Sequence, residues 1–523
     1  MRPLIQEIQT ADTPESLLEK VRGEPGTVLL RTAQFDVASA RYSLVTARPF
    51  LTFCSFGSHC ETLAYSPLVT RHIQYGNPWH LLDALMSPLE MLDEVDWPFP
   101  LGGAFGYWGY DLKNYTEPKL PRRAVNDLEL PDCYVGFYDS LVVFDHRLDK
   151  VHVISTGLAA DGSRSKARAA ERLEFWQNQL SQIPSVRQAS HLPGERLSGR
   201  STAAFPARGG ERAAVPLHSS LSRAEFVSAV ERVLKYIRAG DIYQVNLSNR
   251  LTARCDSSGW ELFQRLRDVS PAPFAAYLEC DGGHRQGRFE IASSSPEQFL
   301  RLSGAHVVTR PIKGTRPRDV EPTRDAQLAY ELQTSPKELA ELLMITDLLR
   351  NDLGKVCEYG SVQAPELARL EKFAQVQHLV STVEGRLRND VTHFAAFASC
   401  FPGGSVTGAP KFRALEIIDE LERVARGPYC GAIGYLGFNR ESQLSITIRT
   451  AICQPGVAHF HVGAGIVADS DPEAEYEETL AKARGFFAAL NMQPPWPIER
   501  SPRNVPHLPS HNPEDEDERR VVG

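Results

Sequence analysis

The 523-residue chain is short of several features, and each shortage excludes something. Its nine cysteines include no Cys-x-x-Cys pair, which argues against a zinc ribbon or a dithiol redox motif. Scattered through a chain this long, they fit reduced, mostly buried thiols better than a disulfide frame. No apolar run approaches the roughly 18–20 residues of a membrane-spanning helix. The amino end, MRPLIQEIQTADTPE, lacks the apolar stretch of a signal peptide, so a cytoplasmic protein without membrane contact is expected. Positive charge is not in excess either: a formal net charge of −8 argues against general nucleic-acid binding. No internal repeat is found.

What remains, with 42% hydrophobic and 23% charged residues, is a globular composition. The length allows two domains or one large α/β body with additions. Residues 181–222 are rich in Ser, Gly, Pro and Arg and are expected to form a flexible linker or excursion. Residues 494–523 are proline-rich and then charged (PEDEDERR), as in a disordered tail. The densest run of strands and helices lies at 223–493. The first 180 residues carry strand signals in TVLLRTA, YVGFYDSLVVFDH and KVHVIST, and a glycine-aromatic stretch, GGAFGYWGYD, that reads as a tightly turned, packed element.

Some boundaries are explicit. Ser335-Pro336-Lys337-Glu338 offers an N-cap, Pro at the first helical position and Glu at N3, a capping box. Leu339, Leu342, Leu343 and Leu349 follow at helical spacing, and Gly354 can end the helix. Asp471-Pro472-Glu473 opens a second helix. QLSITIRTAI alternates as one strand, with Leu444, Ile446 and Ile448 on one face and Thr447 and Arg449 on the other. HLVSTVEG and AHFHVGAG read as further strands with a polar face. Strands and helices mix without a strict βαβ rhythm, which predicts an α+β fold.

Chemistry is concentrated in a few places. Lys313 lies before a Gly-Thr turn among Arg310, Arg316 and Arg318. It is either a surface lysine of a basic loop or a nucleophile whose pKa burial and neighbouring cations depress. Glu297 lies in SSSPEQFL, Glu341 in the capped helix, and Glu475 and Glu478 one turn apart on the last helix. Glu341 and Glu478 could hold magnesium, which takes one or two protein carboxylates. Equally, Glu478 and Lys482 could form an ordinary i,i+4 pair. A buried Arg449 needs an anion, from the protein or from a substrate. His378 fits a satisfied core histidine. The segment Phe401–Ile418 looks like a phosphate loop but fails the Walker pattern at Ala409-Pro410, so nucleotide binding is rejected and only an anion at the helix start stays open.

Taken together, PIKGTRPR, ELLMITDLLRNDLG, HLVSTVEG, FPGGSVTGAPK, ITIRTAI, GAGIVADSDPEAEYEETLAKA and AGDIYQVNLSNRL occur in the order typical of the chorismate-utilising enzymes. The resemblance is strong over 223–493 and weaker before it, through GGAFGYWGYD. It implies two interleaved α/β layers around a β-sandwich, to which the first part of the chain contributes. It also implies Mg²⁺ bound by Glu341 and Glu478, with Glu475 acting through water. Gly314, Thr315, His378, Ser405, Tyr429, Arg449, Gly463, Gly465 and Lys482 fall on the family's substrate-pocket positions, and Glu297 on that of a general acid.

In this resemblance Lys313 is the discriminating residue. Anthranilate-forming members typically carry PIAGT, leaving room for ammonia at ring carbon C2. Aminodeoxychorismate-forming members carry PIKGT, whose lysine is held to attack C2 itself. The chain resembles the second group, which implies chorismate and ammonia as substrates and a separate glutamine amidotransferase subunit as partner, since no such domain is recognisable here. An anthranilate-forming enzyme is the nearest alternative, with water-using isochorismate-forming relatives behind it. A silent scaffold for a glutaminase is the alternative of another class, and the intact set of Lys313, Glu297, Glu341 and Glu478 argues against it. A possible tryptophan pocket near the amino end corresponds only loosely to LLRTAQFD.

Overall fold

Amphipathic strands in such number cannot bury their apolar sides in one layer and must stack face to face. The computed structural model describes residues 2–32, 40–65, 69–94, 96–181, 217–281, 287–373 and 376–492. Among these, the strands form two twelve-stranded sheets joined by antiparallel pairing. The first 180 residues supply strands to both. Val28–Arg31 pairs with Phe274–Asp281 in the first sheet, and Gly103–Trp108 pairs with Ala432–Gly437 in the second. The glycine-aromatic stretch is therefore a seam strand. A Cβ on Gly106 would lie 2.1 Å from the Tyr134 carbonyl, so only glycine lets these strands approach, while Phe105 and Tyr107 face the core between the sheets and Trp108, on the other face, packs on Phe394 and Phe397 of a covering helix.

The two predicted helix starts are present. Ser335 accepts the Glu338 N–H and opens Pro336–Gly354; Asp471 accepts the Ala474 N–H and opens Pro472–Ala489. The capping box at Ser335 is only half made, because the Glu338 carboxylate turns to Arg316 at 3.3 Å instead of to the cap. HLVSTVEG lies in Val376–Arg386 and AHFHVGAG in Val457–Ile466.

Other expectations need correction. QLSITIRTAI is not one strand: Glu441–Ile446 belongs to the second sheet and Thr450–Gln454 to the first. The chain crosses between them at 447–449, with Arg449 at φ +50. YVGFYDSLVVFDH likewise divides, between Cys133–Tyr138 and Ser140–Asp145, which lie in different sheets. Within the supposed linker, Leu217–Ser219 is a strand paired to Gln244–Arg254. The rest of that segment, from 182 to 216, and the tail lie outside the described residues. All nine cysteines are buried and unpaired. No described helix is long and apolar enough to cross a membrane.

Candidate active site

Two chain crossings between the sheets run side by side. One is Pro296-Glu297, between Arg288–Ser295 of the first sheet and Gln298–Ser303 of the second. The other is Thr447–Arg449, and the Ile446 N–H donates to the Glu297 carbonyl at 3.1 Å. Crossings expose side chains to the space between layers, where neither sheet's pleat can hide them.

Glu297 is only 7% exposed. Burial pushes its carboxyl up to about 7, against the opposing influence of the nearby Ser405 hydroxyl, the Lys313 charge and the Ile312 N–H. Lys313 lies on Ile312–Pro317, paired in register with Leu379 of the neighbouring strand. The register shifts at Gly314, whose φ of +71 suits glycine and whose Cβ would meet Leu332 at 2.7 Å. Burial pushes the Lys313 ammonium down; Glu341 and Glu297 oppose this and Lys482 adds to it. The expected depression by Arg310, Arg316 and Arg318 is not found. Each is neutralised by its own carboxylate, Glu371, Glu338 and Asp325 respectively.

Glu341 is half-buried, and its carboxyl is pushed up by burial, with the negative charges of Glu338 and Glu478 adding to the effect. Glu475 is buried and accepts from the Ser470 hydroxyl at 2.6 Å; burial and Glu478 push it up too. Glu478, exposed, makes the expected pair with Lys482, 2.9 Å away, and its carboxyl is held down chiefly by that lysine. Lys482 also donates to the Gly463 carbonyl at 2.8 Å. Lys337 faces Glu341, Glu475 and Glu478, a neighbour that the sequence pattern hid because it occupies an exposed first helical turn. Among the described residues no group of three or more His, Cys, Asp or Glu encloses a metal position. A two-carboxylate site completed by water and substrate remains compatible with the donors present, which are oxygens suited to a hard cation.

His378 is buried, meets the Thr315 hydroxyl through Nδ1 at 2.9 Å, and is pushed down to about 4 by burial and the Arg449 charge. It is a neutral, satisfied imidazole that also lines the site. Arg449 is half-buried and has no carboxylate partner among the described residues, where burial alone lowers its pKa. Tyr429 stacks on His461 with centroids 4.9 Å apart, and its hydroxyl stands 2.9 Å from where a Gly463 Cβ would be. A Cβ on Gly465 would meet the Gln244 amide at 2.4 Å. Gln244 is buried with both amide atoms unpartnered, and it too was missed, as one polar residue in a strand carries no signal.

Near the amino end, Leu30, Arg31 and Thr32 line a cavity with Tyr42, Pro273 and Tyr435. The remainder of LLRTAQFD, from Ala33, lies outside the described residues.

A lysine pushed toward its neutral form, a carboxyl pushed up to about 7 and a guanidinium with no carboxylate partner among the described residues thus lie between two antiparallel sheets. The profile of the chorismate binding enzymes matches residues 43–488. The chain belongs to that family, and its α+β architecture is the chorismate-utilising fold. It is 36% identical over 479 residues to anthranilate synthase component 1 of Acetivibrio thermocellus, covering 92% of this chain and 93% of that one. It is 37% identical over 480 residues to aminodeoxychorismate synthase component 1 of Salmonella typhimurium, covering 92% and 96%. Among solved structures, anthranilate synthase component I of Streptococcus pneumoniae superposes with a TM-score of 0.67 at 29% identity over 86% of this chain and 93% of the other. The menaquinone-specific isochorismate synthase of Escherichia coli shares the fold, with a TM-score of 0.65 at 17% identity over 94% of each chain.

Proposed function

We propose that this chain is an aminodeoxychorismate synthase component I, converting chorismate and ammonia to 4-amino-4-deoxychorismate. The observation that carries this is Lys313, a lysine with a lowered pKa between Glu297 and Glu341, its cationic neighbours paired off elsewhere. Arg449, with no carboxylate partner among the described residues, would clamp a substrate carboxylate, and Tyr429, Gly463 and Gly465 would shape the wall against which it lies. Glu341 and Glu478 would hold Mg²⁺, with Glu475 behind them through water; the ion would neutralise the ring carboxylate of chorismate.

The neutral Lys313 amine attacks C2, the ring double bond shifts, and the C4–O bond breaks. Glu297, protonated near neutrality, gives its proton to the departing hydroxyl, which leaves as water. Ammonia then bonds to C4, the double bond shifts back, and the C2–N bond to Lys313 breaks, restoring the neutral amine, while the proton shed by the new C4 ammonium returns to the Glu297 carboxylate. One difficult substitution becomes two easier ones. A separate glutamine amidotransferase subunit would supply the ammonia.

Anthranilate synthase component I is the second reading, favoured by 42% identity over 412 residues to that enzyme of Thermus thermophilus. Purified protein with chorismate, ammonium and Mg²⁺ should yield a product that an added lyase converts to p-aminobenzoate. Fluorescent anthranilate without lyase transfers the assignment to the second reading, and absence of turnover even with a glutaminase points to a silent scaffold. Mass spectrometry should detect a chorismate-derived adduct that Lys313→Ala abolishes; an undiminished adduct excludes Lys313 as the nucleophile.

A further inference from the structure

The glycine-aromatic stretch ends in Tyr110-Asp111, two residues beyond the last paired position of its strand, Trp108. They close on the turn at 427–431, which leads into the neighbouring strand Ala432–Gly437. The Tyr110 N–H donates to the Gly427 carbonyl at 2.7 Å, and the Asp111 carboxylate accepts the Gly427 N–H at 2.9 Å. Gly427 is thus held by both of its backbone groups. Gly109 permits the approach, since a Cβ there would stand 2.9 Å from the Gly427 carbonyl oxygen and 2.6 Å from that of Asp132. The second Asp111 oxygen meets the buried Lys113 ammonium at 3.3 Å.

The braced turn has two attachments to the candidate site. Tyr429, whose N–H donates to the Arg426 carbonyl at 3.1 Å, stacks on His461 and ends beside Gly463. Next to it, the Cys430 N–H donates to the Thr447 carbonyl at 2.8 Å, and the Thr447 N–H donates to the Gly431 carbonyl at 3.0 Å. Thr447 opens the crossing that carries Arg449. Cys430 at φ +62 and Arg449 at φ +50 both stand in the left-handed region without being glycine, a conformation that persists only where the surroundings impose it. We infer that Asp111 is a positioning residue: through Gly427 it fixes the turn that sets Tyr429, and with it the crossing toward Arg449, as wall and clamp for chorismate. This rests on the reading of Tyr429 and Arg449 as pocket residues. Asp111 acts through a backbone amide, so its loss should weaken substrate binding and leave the chemistry at Lys313 intact.

The test uses three full-length variants. Asp111→Ala removes the acceptor, Asp111→Asn keeps an oxygen for the Gly427 N–H without the charge, and Lys113→Gln removes the ion pair alone. Hydrogen exchange of the 427–431 amides is followed by mass spectrometry, beside steady-state kinetics with chorismate, ammonium and Mg²⁺. In folded Asp111→Ala, KM for chorismate should rise about tenfold with kcat within about twofold. Exchange at 427–431 should quicken about tenfold, while that of Gly103–Trp108 stays as in the wild type. Asp111→Asn should recover most of both effects, and Lys113→Gln should cause neither. On a Tyr429→Ala background, Asp111→Ala should raise KM by less than it does alone. Asp111→Glu, which keeps the charge but displaces the carboxylate, should raise KM likewise and carries the test if the alanine variant does not fold. A folded variant with unchanged exchange at 427–431 or unchanged KM overturns the inference, as does exchange that quickens equally throughout the seam. If exchange quickens at 427–431 alone but the wild type turns over no chorismate, the brace stands and the pocket reading falls.

Discussion

Lys313 and Glu297 are shifted in opposite senses by one cause. Each is moved toward its neutral form by lost water, and their mutual attraction only partly reverses this. On the proposed reading, the first shift favours Lys313 as a nucleophile and the second favours Glu297 as a proton donor. The shift of Glu297 also has a stability consequence with a definite sign. Its folded value of about 7 exceeds the ordinary 4.5, so the native state holds the proton more tightly than the unfolded chain. Stability should therefore fall as pH rises from about 4.5 to about 7, by on the order of 3 kcal/mol, and Glu297→Gln should flatten that dependence in urea unfolding at pH 5 and pH 8. Arg449→Ala should raise KM for chorismate by about 10- to 100-fold in steady-state kinetics, the size of a lost charge-assisted bond, while Arg449→Lys should recover only part of it. The type of each of these residues was legible in the motifs. Their environment was not: the cations beside Lys313 in sequence are paired away from it, and its true electrostatic neighbours come from Glu297, Glu341, Glu478 and Lys482, up to about 170 positions along the chain.

Among the elements, helix starts and uninterrupted strands were legible because caps and apolar alternation are local. Ser335 and Asp471 cap as their motifs require. Ser335→Ala should cost about 1 kcal/mol in urea unfolding with little effect on kcat, since the cap lies a turn and a half from Glu341. Strand ends at sheet crossings were not legible. In QLSITIRTAI and YVGFYDSLVVFDH, apolar alternation runs on through the crossing, because both sheets bury their inner faces in the same core. Only the positive φ of Arg449 and the bend at Asp139 mark the change. Gly106→Ala tests the seam between chain halves: with a Cβ 2.1 Å from the Tyr134 carbonyl, the strands must separate, and soluble yield and thermal midpoint should fall sharply.

For the whole molecule, both sheets are completed by strands from either side of residue 181, and neither part has a sheet of its own. Residues 217–493 expressed alone should fail to give a cooperative unfolding transition, and co-expression with 1–181 should restore it; calorimetry that finds the fragment independently folded would refute this. Chelation tests the site at the same scale. Removing divalent cations should abolish turnover, and Glu478→Gln should raise the Mg²⁺ concentration needed for half-maximal rate by tenfold or more. The sequence by itself determined the family, through the ordered motifs around Lys313 and Glu297, and where helices start, because residue type and local spacing are properties of the chain. The tertiary structure alone decided that Lys313 is pushed toward its neutral form beside carboxylates and that Arg449 has no carboxylate partner among the described residues. Desolvation, pairing and hydrogen-bond reach depend on distances across two packed sheets, and those distances exist only once segments remote in sequence have closed around the same space.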